Sequence, residues 1–247
     1  MPVKAMILSA GRGERMRPLT DHCPKPLLPV RGQPLIEWHA QALARGGFHE
    51  LVINTAWLGE QLEQYFQTRP QPAGLAQSVT QSVTYSHEGH DFGYALETAG
   101  GISRALPLLG NIFWVLAGDV FVPEFAFSAE AVSRFAASDK LAHLWLVPNP
   151  AHNPRGDFGL SEDGLALNLP LDDEANPCAT PRYTYSTIGL YRRALFDGLS
   201  FGNQQGLAMP LAPLLRAAMD KQQISAELYL GAWTDVGTPA RWAELNQ

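Results

Sequence analysis

The chain has 247 residues, 46% of them hydrophobic and 17% charged, and its 18 Lys and Arg against 24 Asp and Glu leave a formal net charge of -6. That length and apolar content suffice for one large domain or two small ones, and exclude intrinsic disorder. The acidic balance excludes a sequence-independent grip on nucleic acid through a basic surface, so any phosphate the protein binds must be met locally.

The two cysteines, Cys23 and Cys178, cannot make a disulfide framework and lack zinc-site spacing, so reduced thiols are expected. The apolar run Val3 to Ala10 stops at Gly11, Arg12 and Gly13 without a small-residue cleavage site. No stretch reaches the roughly 18 to 20 consecutive apolar residues of a membrane span. A cytoplasmic protein without a membrane partner is the expectation.

In chain order, Lys4 to Ser9 is a short β-suited run, and the polar, Pro-rich stretch through Val30 lacks helical periodicity and reads as a long loop. Pro34 to Gly46 sets Leu35, Ile36, Trp38, His39, Ala42 and Leu43 at helical spacing and ends at Gly46 and Gly47, where a C-cap glycine belongs. Leu51 to Asn54 reads as a buried strand, Leu58 to Phe66 as an amphipathic helix and Val79 to Ser86 as a strand, with Gln67 to Gln81 a surface excursion. Thr98 to Leu109 predicts a helix, Ile112 to Ala117 a strand ending at Gly118 and Asp119, Ala129 to Ala137 a helix and Leu141 to Val147 a strand. From Asn149 to Pro181 Gly, Pro, Asn and Asp take over; Tyr183 to Tyr191 is then β-rich, Leu211 to Met219 helical, Ile224 to Leu230 strand-like and Pro239 to Leu245 helical. This order predicts a single α/β domain over 1–247, a Rossmann-like, open, mixed and mostly parallel sheet flanked by helices, with a small antiparallel portion.

The segment LSAGRGERMRPLT, Leu8 to Thr20, joins a buried strand to a loop with two glycines and three arginines. Amides freed by Gly11 and Gly13 can wrap an anion, and Arg15 adds a planar fork for phosphate oxygens. A dinucleotide fingerprint fails here, because GRGERM lacks the third small residue and Pro18 breaks the helix that should follow. Lys25 stands between Pro24 and Pro26, on a stiff arm within one loop of that cluster, although a lone PKP is as compatible with a solvated lysine. Asp119 ends a predicted buried strand and Asp235 lies in WTDVGTP; two such carboxylates could share one Mg²⁺, or each could cap a turn. The histidines show no zinc or triad spacing, and Trp38, Trp114, Trp233 and Trp242 read as core anchors.

These residues together resemble the sugar-1-phosphate nucleotidyltransferases. The opening pattern of that family, L-x-A-G-x-G-x-R-M-x-P-L-T followed by P-K-P-L, is met at Leu8, Ala10, Gly11, Gly13, Arg15, Met16, Pro18, Leu19, Thr20, Pro24, Lys25, Pro26 and Leu27. The resemblance implies that Leu8, Ala10, Gly11, Gly13 and Arg15 hold a nucleoside triphosphate, with Glu88 and the ETAGGI segment, Gly100 included, on the base side, although Gly100 and Gly101 are equally compatible with close helix packing. It implies that Lys25 meets phosphate at the reacting centre and that Asp119 and Asp235 hold Mg²⁺. It puts Asn149 to Leu160 and Tyr185 to Tyr191 on the sugar side, with Asp157 and Thr187 among the sugar contacts.

Further matches at Ile53 to Glu63 and Leu228 to Trp242 are similar to the branch that joins UTP to N-acetylmuramic acid α-1-phosphate in bacterial cell-wall recycling. The implied partners are small molecules, a nucleoside triphosphate and a sugar 1-phosphate, handled by a monomer or small homo-oligomer. This chain departs from the branch at Thr187, where glycine is usual, and in extra residues near Gln67 to Gln81 and Gly89 to Tyr94. The lactyl carboxylate of the muramic sugar calls for a cation. Arg155, the only arginine between Arg134 and Arg182, is the candidate, against a reading as a solvated loop charge. GTP with mannose 1-phosphate, UTP or dTTP with glucose 1-phosphate, and a sensor without turnover are the alternatives; retention of Arg15, Lys25, Asp119 and Asp235 favours the enzyme.

Overall fold

The computed structural model describes residues 2–69, 81–170 and 180–247. Most of the expected excursion Gln67 to Gln81, and Cys178, lie outside them.

The first strand, β1 (Lys4–Leu8), is followed by short 3-10 turns and a small hairpin, β2 (Pro29–Val30) and β3 (Gln33–Pro34), where the sequence alone predicts only a loop. Helix α1 (Leu35–Arg45) ends as its glycines require: Gly47 takes a φ of 85° and Phe48 N donates to Leu43 O at 2.9 Å, a Schellman closure. Then come β4 (Glu50–Thr55), α2 (Gly59–Thr68) and β5 (Ser82–His87). The residues Gly89 to Tyr94 contribute to a short helix, α3 (Glu88–Phe92), ahead of α4 (Glu97–Ala105). The helix predicted to Leu109 stops at Ala105, and Pro107 lies in a 3-10 turn over Leu106–Leu108. The remainder is β6 (Ile112–Ala117), β7 (Val120–Phe121), α5 (Ala129–Ala137), β8 (Ala142–Val147), β9 (Phe158–Leu160), β10 (Ala166–Leu167), β11 (Arg182–Arg192), α6 (Ala212–Met219), β12 (Ile224–Leu228), β13 (Thr234–Asp235) and α7 (Pro239–Leu245). Caps support the later helices: Ser128 accepts from Ala131 N, and Thr238 from Arg241 N ahead of Pro239.

Nine strands form one mixed sheet among the described residues. Strands β5, β4, β1 and β6 run parallel side by side, and β11 joins β6 antiparallel. Strand β11 also pairs with β8, whose far edge carries β12 in parallel, and at its start with β9, which carries β10. The fold is thus the mostly parallel α/β sheet with an antiparallel portion. Strands buried on both faces explain the unbroken apolar runs at Ala5–Leu8 and Ile112–Ala117. Side chains alternate between two cores: Met6, Phe113 and Val115 face α4 and α6, while Ala5, Ile7, Trp114 and Leu116 face α1, α2 and α5. A third cluster, Met16, Leu28, Val30, Leu35, Phe121 and Val236, lies under the loop that follows β1.

The chain moves outward from β1 to β4 and β5, then returns to place β6 on the other side of β1. The order reverses between β1 and β6, and beyond the carboxyl ends of two such strands an open α/β sheet holds its ligand. Those ends carry Leu8 to Gly13 and Ala117 to Asp119.

Candidate active site

A cavity of about 460 Å³ opens there, bordered by Ala10, Gly11, Gly13, Arg15, Lys25 and Asp119 among others. Its floor is set by close backbone approach: Gly118 N donates to Leu8 O at 2.8 Å, and a Cβ on Gly118 would lie 2.9 Å from Ser9 Oγ. Gly13 takes a φ of 69°, and a Cβ there would press Thr20 at 3.1 Å, whereas a Cβ on Gly11 would meet open space. One glycine therefore bends the loop and the other leaves its backbone open to the cavity.

The three arginines of the loop separate into two roles. Arg12 donates to Thr20 O at 2.7 Å and to Asp21 at 2.9 Å and stacks on Trp57, and Arg17 donates to Asp21 at 2.8 Å. These contacts fold the loop and hold the Asp21 carboxyl below the usual carboxylate range, the hydrogen bond from Arg12 first among the causes. Arg15 alone borders the cavity, exposed, with no ion pair or hydrogen bond to a described residue. Met16, next to it, is fully buried in the cluster beneath the loop.

Lys25, 8% exposed, sends Nζ to Asp119 Oδ2 at 2.6 Å. Strand β13 pairs Asp235 with Val120, and Val236 N donates to Asp119 O at 2.8 Å, so the two aspartates stand on adjacent backbone. Asp235 Oδ1 is 2.7 Å from Arg241 Nη1 and 2.8 Å from His152 Nε2. Each aspartate keeps its other oxygen without a donor among the described residues. Two hard carboxylates are ligands of the kind Mg²⁺ takes, one or two of them with phosphate and water. His39 lies behind this pair, 1% exposed, and burial pushes it down to about 4, so it is a neutral core residue.

Glu88 is fully buried at the cavity wall. Its Oε1 accepts from Asn54 Nδ2 and its Oε2 from Leu96 N, both at 2.7 Å, while Asn54 Oδ1 accepts from Ser9 N at 2.7 Å. Burial raises the Glu88 carboxyl above its ordinary range, opposed by those two donors. With one donor on each oxygen, Glu88 ties the loops after β1 and before α4 together at the wall of the cavity. Gly100 is not on the cavity: a Cβ there would run into the carbonyl of Leu207, and its amide donates to Met209 O at 3.1 Å. It serves close packing of α4, while Ala95, Glu97 and Thr98 are the residues of this segment that border the cavity.

A second cavity of about 480 Å³ adjoins the first, sharing Leu8, Glu97, Thr98 and Ala117. It receives Asp157, Tyr185 and Thr187. Register slips between Tyr185 and Gly189 on β11, and in that bulge Thr187 takes a φ of 69°, a conformation that favours glycine, with Oγ1 buried and without a partner. Arg155 is outside both cavities. Gly156, at a φ of 61°, packs on the Tyr183 backbone and turns Asp157 inward, leaving Arg155 exposed with its carbonyl accepting from Arg182 Nε. The cation on this cavity is Arg216 of α6, which sequence reasoning passed over because its helix reads as an ordinary amphipathic one. Asn54, Arg241 and the His152 contact with Asp235 were likewise invisible as spacing.

The sequence profile described as Nucleotidyl transferase matches residues 4–247. The chain is 45% identical over 244 residues to an N-acetylmuramate alpha-1-phosphate uridylyltransferase of Neisseria meningitidis, covering 98% of this chain and 96% of that protein. It is 34% identical to a UTP--glucose-1-phosphate uridylyltransferase of Synechocystis, with 99% of this chain and 63% of that longer protein covered. Among solved structures, a UDP-glucose pyrophosphorylase from Acinetobacter baumanii superposes with a TM-score of 0.75 at 17% identity, over 99% of this chain and 92% of that one. A UDP-glucose pyrophosphorylase complexed with UDP-glucose superposes with a TM-score of 0.74 at 18% identity, covering 100% and 97%. Similarity at that level of identity speaks to the fold.

Proposed function

The chain belongs to the nucleotidyl transferase family, and from that premise we propose that it transfers uridine monophosphate from UTP to N-acetylmuramic acid α-1-phosphate, releasing pyrophosphate. The observation that carries this reading is the pair of adjoining cavities at the ends of β1 and β6, one rimmed by glycine loop, Arg15, Lys25 and Asp119, the other by Asp157, Tyr185 and Thr187. The near full-length likeness to the Neisseria uridylyltransferase supports the choice of base and sugar. The same reading assigns the reaction to the cytoplasm and to cell-wall recycling.

A sugar phosphate is already largely dianionic at neutral pH, its second pKa being about 6, so no general base or covalent nucleophile is required. Its oxygen attacks the α-phosphorus, that bond forms as the bond from the α-phosphorus to the bridging oxygen breaks, and pyrophosphate leaves with the electron pair. Catalysis of such a displacement is positioning and charge neutralisation. In this reading the amides at Gly11 and Gly13 and the Arg15 fork hold the triphosphate, and Arg15 takes up the charge that grows on the leaving pyrophosphate. Lys25, held on its proline-flanked turn, steadies the attacking phosphate. Asp119 and Asp235 would hold Mg²⁺, whose chemistry is to polarise phosphoryl oxygens and neutralise their charge. Arg241 and His152 orient Asp235.

The test is a substrate panel: UTP, GTP and dTTP against the 1-phosphates of N-acetylmuramic acid, N-acetylglucosamine, glucose and mannose, read by pyrophosphate release and mass of the product. UTP with the muramic sugar is expected to give the highest kcat/KM. Preference for GTP with mannose 1-phosphate would overturn the choice of base and sugar, and binding without turnover of any pair would overturn the enzyme.

A further inference from the structure

The second cavity has a cation at its far wall. Arg216 is half-buried on α6, and its guanidinium is fixed from three directions: Nη1 donates to Asn168 Oδ1 at 2.7 Å, Nη2 reaches the carbonyl of Asp157 at 3.3 Å, and Cζ lies 5.1 Å from the centroid of the Phe158 ring. None of these partners is negatively charged, and among the described residues no carboxylate comes within ion-pair distance of it. A guanidinium carries five donors in a rigid fork, and two of them are engaged by described residues. A partly desolvated cation whose described neighbours are neutral leaves a place for a planar anion supplied by what enters the cavity.

The rest of the wall is largely apolar, with Glu97, Thr98, Asp157, Tyr185 and Thr187 as its polar residues. Asp157 receives Asn153 Nδ2 on Oδ1 at 3.2 Å and Tyr185 N on Oδ2 at 2.8 Å, which leaves each oxygen a lone pair for a sugar hydroxyl. Thr187 Oγ1 is buried without a partner. With the carboxylates Glu97 and Asp157 suited to sugar hydroxyls, the preset guanidinium of Arg216 is the one group of the described wall suited to an acidic substituent.

We infer that Arg216 is a specificity-determining residue that pairs with a carboxylate on the sugar, the lactyl carboxylate of N-acetylmuramic acid 1-phosphate if the function proposed above holds, on which this inference rests. Asn168, Asp157 and Phe158 act as its holders, and the fork meets the carboxylate edge-on.

The experiment compares kcat/KM for N-acetylmuramic acid 1-phosphate and for N-acetylglucosamine 1-phosphate, which lacks the lactyl group, in the wild type, Arg216→Ala and Arg216→Lys, each with UTP. Arg216→Ala is expected to lower the muramic value about 10- to 100-fold, chiefly through KM, and the glucosamine value less than about threefold, in line with losing one charge-assisted pair. Arg216→Lys should fall between, keeping the charge and losing the fork. The ratio of the two sugars on one preparation is unaffected by the fraction of folded protein. An equal loss for both sugars, in an enzyme that prefers the muramic one, would overturn the role of Arg216 and leave the proposed function standing. A wild type that prefers a neutral sugar 1-phosphate would overturn both.

Discussion

Lys25 and Asp119, 94 positions apart in the chain, meet with Nζ 2.6 Å from Oδ2 at the mouth of the first cavity. The loop after β1 and the turn after β6 are thereby locked in the register that the site needs. The lysine balances a carboxylate and faces the cavity at once.

From this pairing, Lys25→Met should lower kcat/KM for the sugar 1-phosphate by about 10- to 100-fold, the usual cost of losing one charge-assisted contact to a phosphate. Asp119 is 41% exposed on its side chain and water can solvate it, so melting temperature should move little. Steady-state kinetics and thermal unfolding of the same preparation check both halves; unfolding in step with lost activity would make the lysine a structural element.

The arginines of the signature loop should separate by phenotype. Arg15→Ala is expected to raise the KM for UTP and lower kcat without loss of stability, since its side chain supports no described residue. Arg12→Ala should destabilise by about 1 to 2 kcal/mol, losing its hydrogen bonds to Thr20 and Asp21 and its place over Trp57. Urea unfolding beside kinetics tells them apart.

Glu88→Gln should destabilise by about 1 to 3 kcal/mol, because one end of the amide must turn an N–H toward a donor, Asn54 Nδ2 or Leu96 N, where the carboxylate accepted from both. A raised KM for UTP should accompany it as the loop before α4 loosens. Normal stability with a changed preference among bases would instead make Glu88 a base contact.

His39 predicts a pH dependence. Its folded value, about 4, lies below the unfolded value near 6.5, so the unfolded chain binds more protons between them and stability falls as pH drops through that window. The expected loss from this group between pH 7 and pH 5 is about 2 kcal/mol. His39→Leu should remove that part of the slope, measured as the difference in urea unfolding free energy at the two pH values. An unchanged slope would contradict it.

Much of the fold and part of the site can be read directly from residues. Strands buried on both faces leave unbroken apolar runs, so Lys4–Leu8 and Ile112–Ala117 are recognisable, and with them the strand ends that carry the loop and Asp119. The glycines of the loop are legible because a bend and an open backbone demand them. Other features depend on tertiary contact and leave no local trace. Which of Arg12, Arg15 and Arg17 faces the cavity is decided by Asp21 and Trp57, neither of which a spacing rule singles out. Arg155 stands beside Asp157 in sequence, yet the turn at Gly156 sends the two in opposite directions, while Arg216 arrives from a helix nearly 60 positions later. Gly100 is small for packing against the Leu207 carbonyl, and helix α3 is too short for its period to register.

In the proposed reaction the α-phosphoryl group and its nucleoside pass to the sugar 1-phosphate while the β- and γ-phosphoryl groups leave together. Its most direct test uses UTP labelled at the α-phosphorus or at the γ-phosphorus, with N-acetylmuramic acid 1-phosphate and Mg²⁺. The α label is expected wholly in the UDP-sugar and the γ label wholly in pyrophosphate, one of each per turnover, with loss of both in Asp119→Asn. Label from the γ-phosphorus in the sugar product, or in inorganic phosphate without any UDP-sugar, would contradict it.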